Sequence, residues 1–297
     1  QTKDNDAQNG QNYGVVRLRA DVSPRVSVGT IVTNVQNEER YNRVAGADAN
    51  WRFIGASELS GWFNTVWDSQ KNQNTSAGNI TLNYLKDLYS AKLQYTIVDA
   101  GYNPGLGFVE RDNVRRYATT LAYNPYISRT GEKKVRRLSF TTAGEYLTNQ
   151  VGVLESSEIA ASGTVLFVKR DRIGLKVTRA YENLIAPFAI RPNATIPVGP
   201  YTFYFASLTA SSDQSRPFYL TATAQTGDFY HGTRTLLQNL IGYRFSKHLK
   251  AEQTISYNII DLPIANGRFD ATTYGLALQA ATSRKLFANA LIQYDNF

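Results

Sequence analysis

Val16-Arg17-Leu18-Arg19-Ala20-Asp21-Val22 alternates apolar and charged residues without a break. Successive side chains of a β-strand point to opposite faces, so as a strand this stretch has one apolar face and one charged face. The same period of two returns at residues 47–53, 91–97, 172–178, 218–225 and 273–280. No helical period competes with it. The pattern predicts an all-β, antiparallel transmembrane β-barrel of about sixteen strands, with short turns on one rim and longer loops on the other.

The strands are expected at 13–23, 25–36, 45–56, 57–69, 77–88, 89–100, 113–125, 135–147, 155–169, 171–182, 200–212, 216–227, 232–246, 248–261, 268–282 and 284–295. A soluble sandwich would also alternate, but three features favour a membrane. The segments run to about ten residues or more, near membrane-spanning length rather than the usual five or six. Aromatic residues recur near segment ends, as in an interfacial girdle. The polar face mixes Arg, Lys, Asp and Gln with small residues, as a wet interior allows. Segments 57–69, 200–212 and 232–246 alternate poorly.

Composition narrows the classes. The 297 residues suit a single barrel domain, preceded by a disordered or loop-like segment at 1–12. There is no apolar run of about 18 residues, which excludes a membrane-crossing helix and leaves barrels open. With no Cys there is no disulfide, thiolate nucleophile or Cys-bound metal. The 19 Tyr suit strands and membrane interfaces. The net charge of +8 is scattered singly along strands rather than gathered into a basic patch, which argues against nucleic acid as a partner.

Connections alternate in length. Short ones are expected at Ser23-Pro24-Arg25, Gly55-Ala56-Ser57, 87–90, 170–172, Ser246-Lys247-His248 and Ser283-Arg284, with 126–134 and 212–216 on the same side. Longer ones are expected at 37–44, 70–76, 101–112, 183–199, 228–231 and 262–267, with 148–154 among them. Short turns are periplasmic in outer-membrane barrels. By that parity both chain ends point outside the cell, the arrangement expected of a section of a longer barrel or of a re-engineered one.

Several stretches carry a family resemblance: Ser27-Val28-Gly29-Thr30-Ile31-Val32-Thr33, Asn42-Arg43-Val44-Ala45-Gly46-Ala47-Asp48, Asn103-Pro104-Gly105-Leu106-Gly107-Phe108-Val109-Glu110-Arg111-Asp112, Gly227-Asp228-Phe229-Tyr230-His231-Gly232 and Leu291-Ile292-Gln293-Tyr294. With these the chain resembles a family of unknown function from bacterial outer membranes. In that family a barrel follows a secreted carbohydrate-binding-like domain of the family-nine type. The resemblance implies an outer-membrane barrel and a glycan or protein partner engaged through a domain absent from this stretch. It implies no reaction and no catalytic residues.

Candidate site residues follow from strand parity. Arg17, Arg19, Arg52, Lys92, Arg116, Arg137 and Lys176 point inward, together with Asp21, Asp48, Glu145 and Glu158. They make a polar, net-basic pore wall, and rings of Arg or Lys favour anions. A mixed ion-pair wall that only stiffens the barrel is the plainer reading. Phe108, Glu110, Arg111 and Asp112 are loop residues expected to constrict the opening, the three charged ones as an ion-pair cluster. Trp51, Trp62, Trp67, Tyr84, Tyr95, Tyr123, Tyr257 and Tyr274 are expected in the girdle or facing lipid.

No catalytic, cofactor or metal site emerges. His231 and His248 are the only histidines, one in a loop and one beside a turn. The loop 101–112 has glycines but lacks the Lys-Ser/Thr pair of a phosphate loop. Phe297 is a weak match to the terminal aromatic of outer-membrane proteins, since Asp295 and Asn296 interrupt the alternation. The expectation is a non-enzymatic, cofactor-free pore or passive channel in the bacterial outer membrane, surrounded by lipid or detergent. The alternative is a non-conducting barrel that anchors or translocates a glycan-binding domain or a partner complex. A soluble β-rich carbohydrate enzyme or lectin would want paired carboxylates in a cleft, and none are spaced for it.

Overall fold

The computed structural model of the chain describes residues 10–131, 133–281 and 286–296. Most of the expected 1–12 segment, Ser283-Arg284 and Phe297 therefore lie outside the described residues. The described residues hold eighteen strands and no helix. They are β1 Asn12–Ser23, β2 Val26–Gln36, β3 Tyr41–Ile54, β4 Ser57–Asp68, β5 Thr75–Leu85, β6 Tyr89–Val98, β7 Val114–Tyr123, β8 Val135–Thr148, β9 Leu154–Phe167, β10 Arg172–Leu184, β11 Phe188–Arg191, β12 Ala194–Ile196, β13 Gly199–Ser211, β14 Phe218–Phe229, β15 Gly232–Arg244, β16 Leu249–Asp261, β17 Arg268–Ala281 and β18 Phe287–Asp295.

Sixteen of these form one sheet in chain order, from β1 to β18, with β11 and β12 set apart as a pair of their own. Each neighbour in the sheet is also a neighbour in sequence once that hairpin is set aside. Nearest-neighbour meanders of this kind need only turns, and period-two patterning supplies the rest.

Three connections add detail to the expectation, two of them as corrections of length. The 183–199 loop contains the β11–β12 hairpin. The 228–231 connection is a tight turn, with Tyr230 and His231 both at positive φ (43° and 66°) between β14 and β15. The 37–44 connection is short because β3 already begins at Tyr41. The short-versus-long contrast between rims is thus weaker than the sequence suggests, while 99–113 and 185–198 stay long.

The strands divide into two compact units. One runs up to Leu121 and includes Gly144–Ser157; the other comprises Ala122–Ala143 and the chain from Glu158. Residues directly opposite in an antiparallel ladder share a face. In the first unit Gly29 pairs with Asp48, Asp48 with Trp62, Trp62 with Asn79 and Asn79 with Thr96, which defines one face. In the second, Lys176 pairs with Ser207, Ser207 with Gln225, Gln225 with Leu236 and Leu236 with Asn258. These are the faces of the charged side chains, called inner below.

The opposite faces are apolar and open. Leu18 is 63% exposed, Phe63 55% and Leu175 53%. Leu175, Leu208, Ala224, Leu237 and Tyr257 follow one another across the second unit's ladders on that face. Soluble proteins rarely leave such continuous apolar surface in water. The buried apolar side chains instead collect on the inner face, where the long loops lie.

Candidate functional site

The loop between β6 and β7, residues 99–113, folds onto the inner face of the first unit. Tyr102 is its anchor. Its ring is 7% exposed and packs in a cluster with Val44, Val66, Ala77, Val98 and Val114, with Val109 and Leu147 against the margin. Burying such a ring stabilises the docked loop by up to about 3 kcal/mol. Val44, Val66 and Ala77 belong to β3, β4 and β5. Burial also pushes the Tyr102 phenol above its ordinary pKa, so it stays neutral.

Polar tethers hold the loop at both ends and at its tip. At the neck the Gly101 N–H donates to the Asp112 carboxylate at 2.5 Å, and Lys71 donates to the Gly101 carbonyl. Asp99 accepts from the Ser76 N–H and from Gln150 Nε2, both at 2.7 Å. At the tip, Asn42 Nδ2 donates to the Asn103 carbonyl at 2.9 Å. Gly105, at φ 63°, sits where a Cβ would lie 2.6 Å from the Asn42 side-chain oxygen. Only glycine suits both that backbone angle and that approach.

The loop covers a cavity of about 960 Å³ lined by Trp62, Asn64, Thr96, Glu110, Arg111, Arg116 and Glu145, among others. Phe108 lines it too and is 89% exposed, at the mouth. All four loop residues expected to constrict belong to this fold-over segment. They do not form an ion-pair cluster among themselves. Arg111 leaves the loop to meet Glu155 of β9 at 2.7 Å, and Asp112 closes the neck on Gly101. Glu110 lines the cavity.

Every residue expected on the inner wall lies on the inner face of its unit. Arg17 pairs with Asp48 at 2.5 Å, and Arg116 with Glu145 at 2.5 Å. Arg19 donates to Ser27 at 3.0 Å. Arg52 stands opposite Glu58, and Lys92 opposite Asn83. In the second unit, Lys176 meets Glu158 at 3.3 Å, and Arg137 donates through Nε to the Asn124 carbonyl at 3.1 Å. Trp51, Trp67, Tyr84 and Tyr95 lie on the outer face of the first unit. Tyr123, Tyr257 and Tyr274 do so in the second. Tyr95 meets Tyr117 at 5.0 Å between ring centres, and Tyr123 meets Phe140 at 6.5 Å. Trp62 is the exception: its ladder partners Asp48 and Asn79 put it on the inner face, lining the cavity.

The second long connection behaves in parallel within its own unit. Ile196 of the β11–β12 hairpin packs with Tyr201, Phe203, Tyr230, Ile260 and Leu262. Arg191 lies 4.6 Å from the ring centre of Phe269. Tyr230 donates to Glu182 at 2.6 Å, and burial together with that carboxylate raises the Tyr230 phenol pKa well above its usual value. His231 meets Tyr201 with ring centres 4.7 Å apart and planes tilted by 50°, and His248 Nδ1 sits 2.6 Å from the Ala281 carbonyl. Among the described residues no three His, Cys, Asp or Glu side chains converge as metal ligands would.

Both loop seats left a mark in the sequence. Segments 57–69 and 200–212 alternate poorly because Trp62 and Val66, then Tyr201, Phe203 and Phe205, are apolar on the inner face. Broken alternation was therefore the signal of a covered interior. The tethers Asn42, Lys71, Asp99 and Gln150 carried no such signal, since single polar residues near strand ends are ordinary.

No protein-family model matches the sequence, and no curated protein does. Among solved structures, the chain is similar to an anion-selective porin from Comamonas acidovorans, at 8% identity and a TM-score of 0.42, over 97% of this chain and 100% of the porin chain.

Proposed function

We propose that the chain is a non-enzymatic, porin-like β-barrel of a bacterial outer membrane, with a polar, net-basic lumen narrowed by two in-folded loops. One observation carries this reading: in each unit the exposed face is apolar, while charge and the long loop share the other. A water-soluble sheet would be built the other way round, burying its apolar face. Sixteen strands enclose an aqueous interior when closed into a barrel. The basic wall then biases passage towards anions. In this reading the molecular partners are lipid and a solute, with no cofactor.

The pinned loops also suit a second reading, a barrel that does not conduct and instead anchors or translocates a glycan-binding domain or partner complex. The resemblance to the outer-membrane family of unknown function is compatible with either. Single-channel recording of the full chain, extracted in detergent and added to planar bilayers, separates them. Discrete conductance steps with an anion-leaning reversal potential support the pore. Insertion without conductance supports the closed barrel, and cation preference refutes the basic-lumen reading.

A further inference from the structure

A second cavity, of about 670 Å³, lies on the inner face of the second unit where β8, β9, β10, β13 and β14 meet their turns. Its lining includes Arg136, Arg137, Arg170, Arg172, Tyr126 and Asp213. Four arginines and one acidic residue thus line it among the described residues. Like charges gathered in one concavity repel one another and raise the local concentration of anions.

The frame around the cavity is rigid and already neutral. Arg216 binds Asp171 at 2.9 Å and the Lys169 carbonyl at 2.8 Å. Asp171 in turn accepts the Asp213 N–H at 3.2 Å. The Val168 N–H donates to the Lys134 carbonyl at 2.9 Å, joining the β9–β10 turn to the start of β8. Asp171 is therefore committed to the frame. Asp213 accepts the Ser215 N–H at 2.9 Å and stands 3.8 Å from Arg170. Those turn contacts hold both carboxyls below the usual carboxylate range, so they remain ionised structural groups.

The local geometry of the lining arginines is defined. Arg170, a lining residue, adopts φ 67°, a left-handed conformation that a bulky side chain rarely takes. Arg137 lies 4.7 Å from the ring centre of Tyr126, which orients its planar fork. Arg172 opens β10 on the inner face, opposite Ser211. Thr209, Ser211, Ser212 and Thr221 add hydroxyl donors.

We infer that this cavity is a binding subsite for a small solute bearing phosphate or carboxylate oxyanions, held by Arg137, Arg170 and Arg172. Guanidinium forks match the paired oxygens of such groups. The subsite rests on the pore reading only for how the solute arrives. Calorimetric titration of the detergent-solubilised full chain with inorganic pyrophosphate at low salt tests it directly. Saturable binding is expected, weakened roughly tenfold or more in Arg137→Gln/Arg172→Gln. The matching Lys variant should recover part of the affinity, because it restores charge without the fork. Arg25→Gln/Arg40→Gln, in turns of the other unit, should bind as the parent does. Absence of saturable binding, or equal weakening by the Arg25/Arg40 pair, overturns the subsite. Binding by a protein that does not conduct still supports it, and conductance without binding removes the subsite alone.

Discussion

Asn42 on β3 donates its side-chain amide to the backbone carbonyl of Asn103, 2.9 Å away at the tip of a loop 61 positions later in the chain. The same amide reaches Asp68 at 3.1 Å. One side chain thus ties the strand wall to the element that covers its inner face. Asn42→Ala removes the tie and costs about 1 kcal/mol of loop docking. The expected result is faster proteolytic nicking within 103–110 with the strands otherwise intact, read by gel mobility. An unchanged nicking rate would remove Asn42 from the tether.

Tyr102 carries more of the docking energy than any single polar tether. Tyr102→Ala empties the seat formed by Val44, Val66 and Ala77 and costs roughly 3 kcal/mol. If the loop narrows a conducting path, this variant shows larger or noisier single-channel conductance. Conductance equal to that of the parent would mean that the loop does not obstruct the path.

Gly105 and Gly152 separate backbone strain from collision. Both have positive φ, 63° and 91°. A Cβ at Gly105 meets Asn42, whereas one at Gly152 meets nothing within 4 Å. Gly105→Ala is expected to destabilise by about 1–3 kcal/mol and to loosen the loop, and Gly152→Ala by about 1 kcal/mol without touching it. Thermal unfolding in detergent, paired with the nicking assay, distinguishes the two.

Tyr230 supplies a pH dependence. Its folded pKa is raised, so its contribution is complete below the unfolded Tyr value of about 10 and is lost as pH climbs through the folded value. The donor to Glu182 therefore persists through neutral and mildly alkaline solution. Tyr230→Phe should lower stability by about 1.5–3 kcal/mol at pH 7. The gap to the parent should close only in strong alkali. A gap that closes near pH 8 would contradict the buried, hydrogen-bonded phenol.

The strand architecture was readable because its cause is local. Alternation in Val16–Val22 or Arg172–Thr178 directly encodes two faces, and β1 and β10 follow it. The same parity puts the charged residues together on one face of each unit. Failures came where tertiary packing overrides the pattern. Trp62 reads as a girdle residue by type, yet pairs opposite Asp48 and lines the loop-covered cavity. The Arg111–Glu155 contact depends on chain segments meeting across many residues, and the strands of the β11–β12 hairpin are too short to show a period of two. The arginine cavity escaped notice because its arginines come from the start of β8 and from around the β9–β10 turn, well apart in sequence.

The three tryptophans offer the most direct test of the central claim that the apolar faces meet lipid. Trp51 and Trp67 lie on the outer face and Trp62 on the inner, and the chain has no others. Three single-tryptophan variants, made by Phe replacement, are to be reconstituted in vesicles with brominated phosphatidylcholine. The account predicts strong fluorescence quenching at Trp51 and Trp67 and little at Trp62. Equal quenching at all three positions, or none at Trp51 and Trp67, would contradict it.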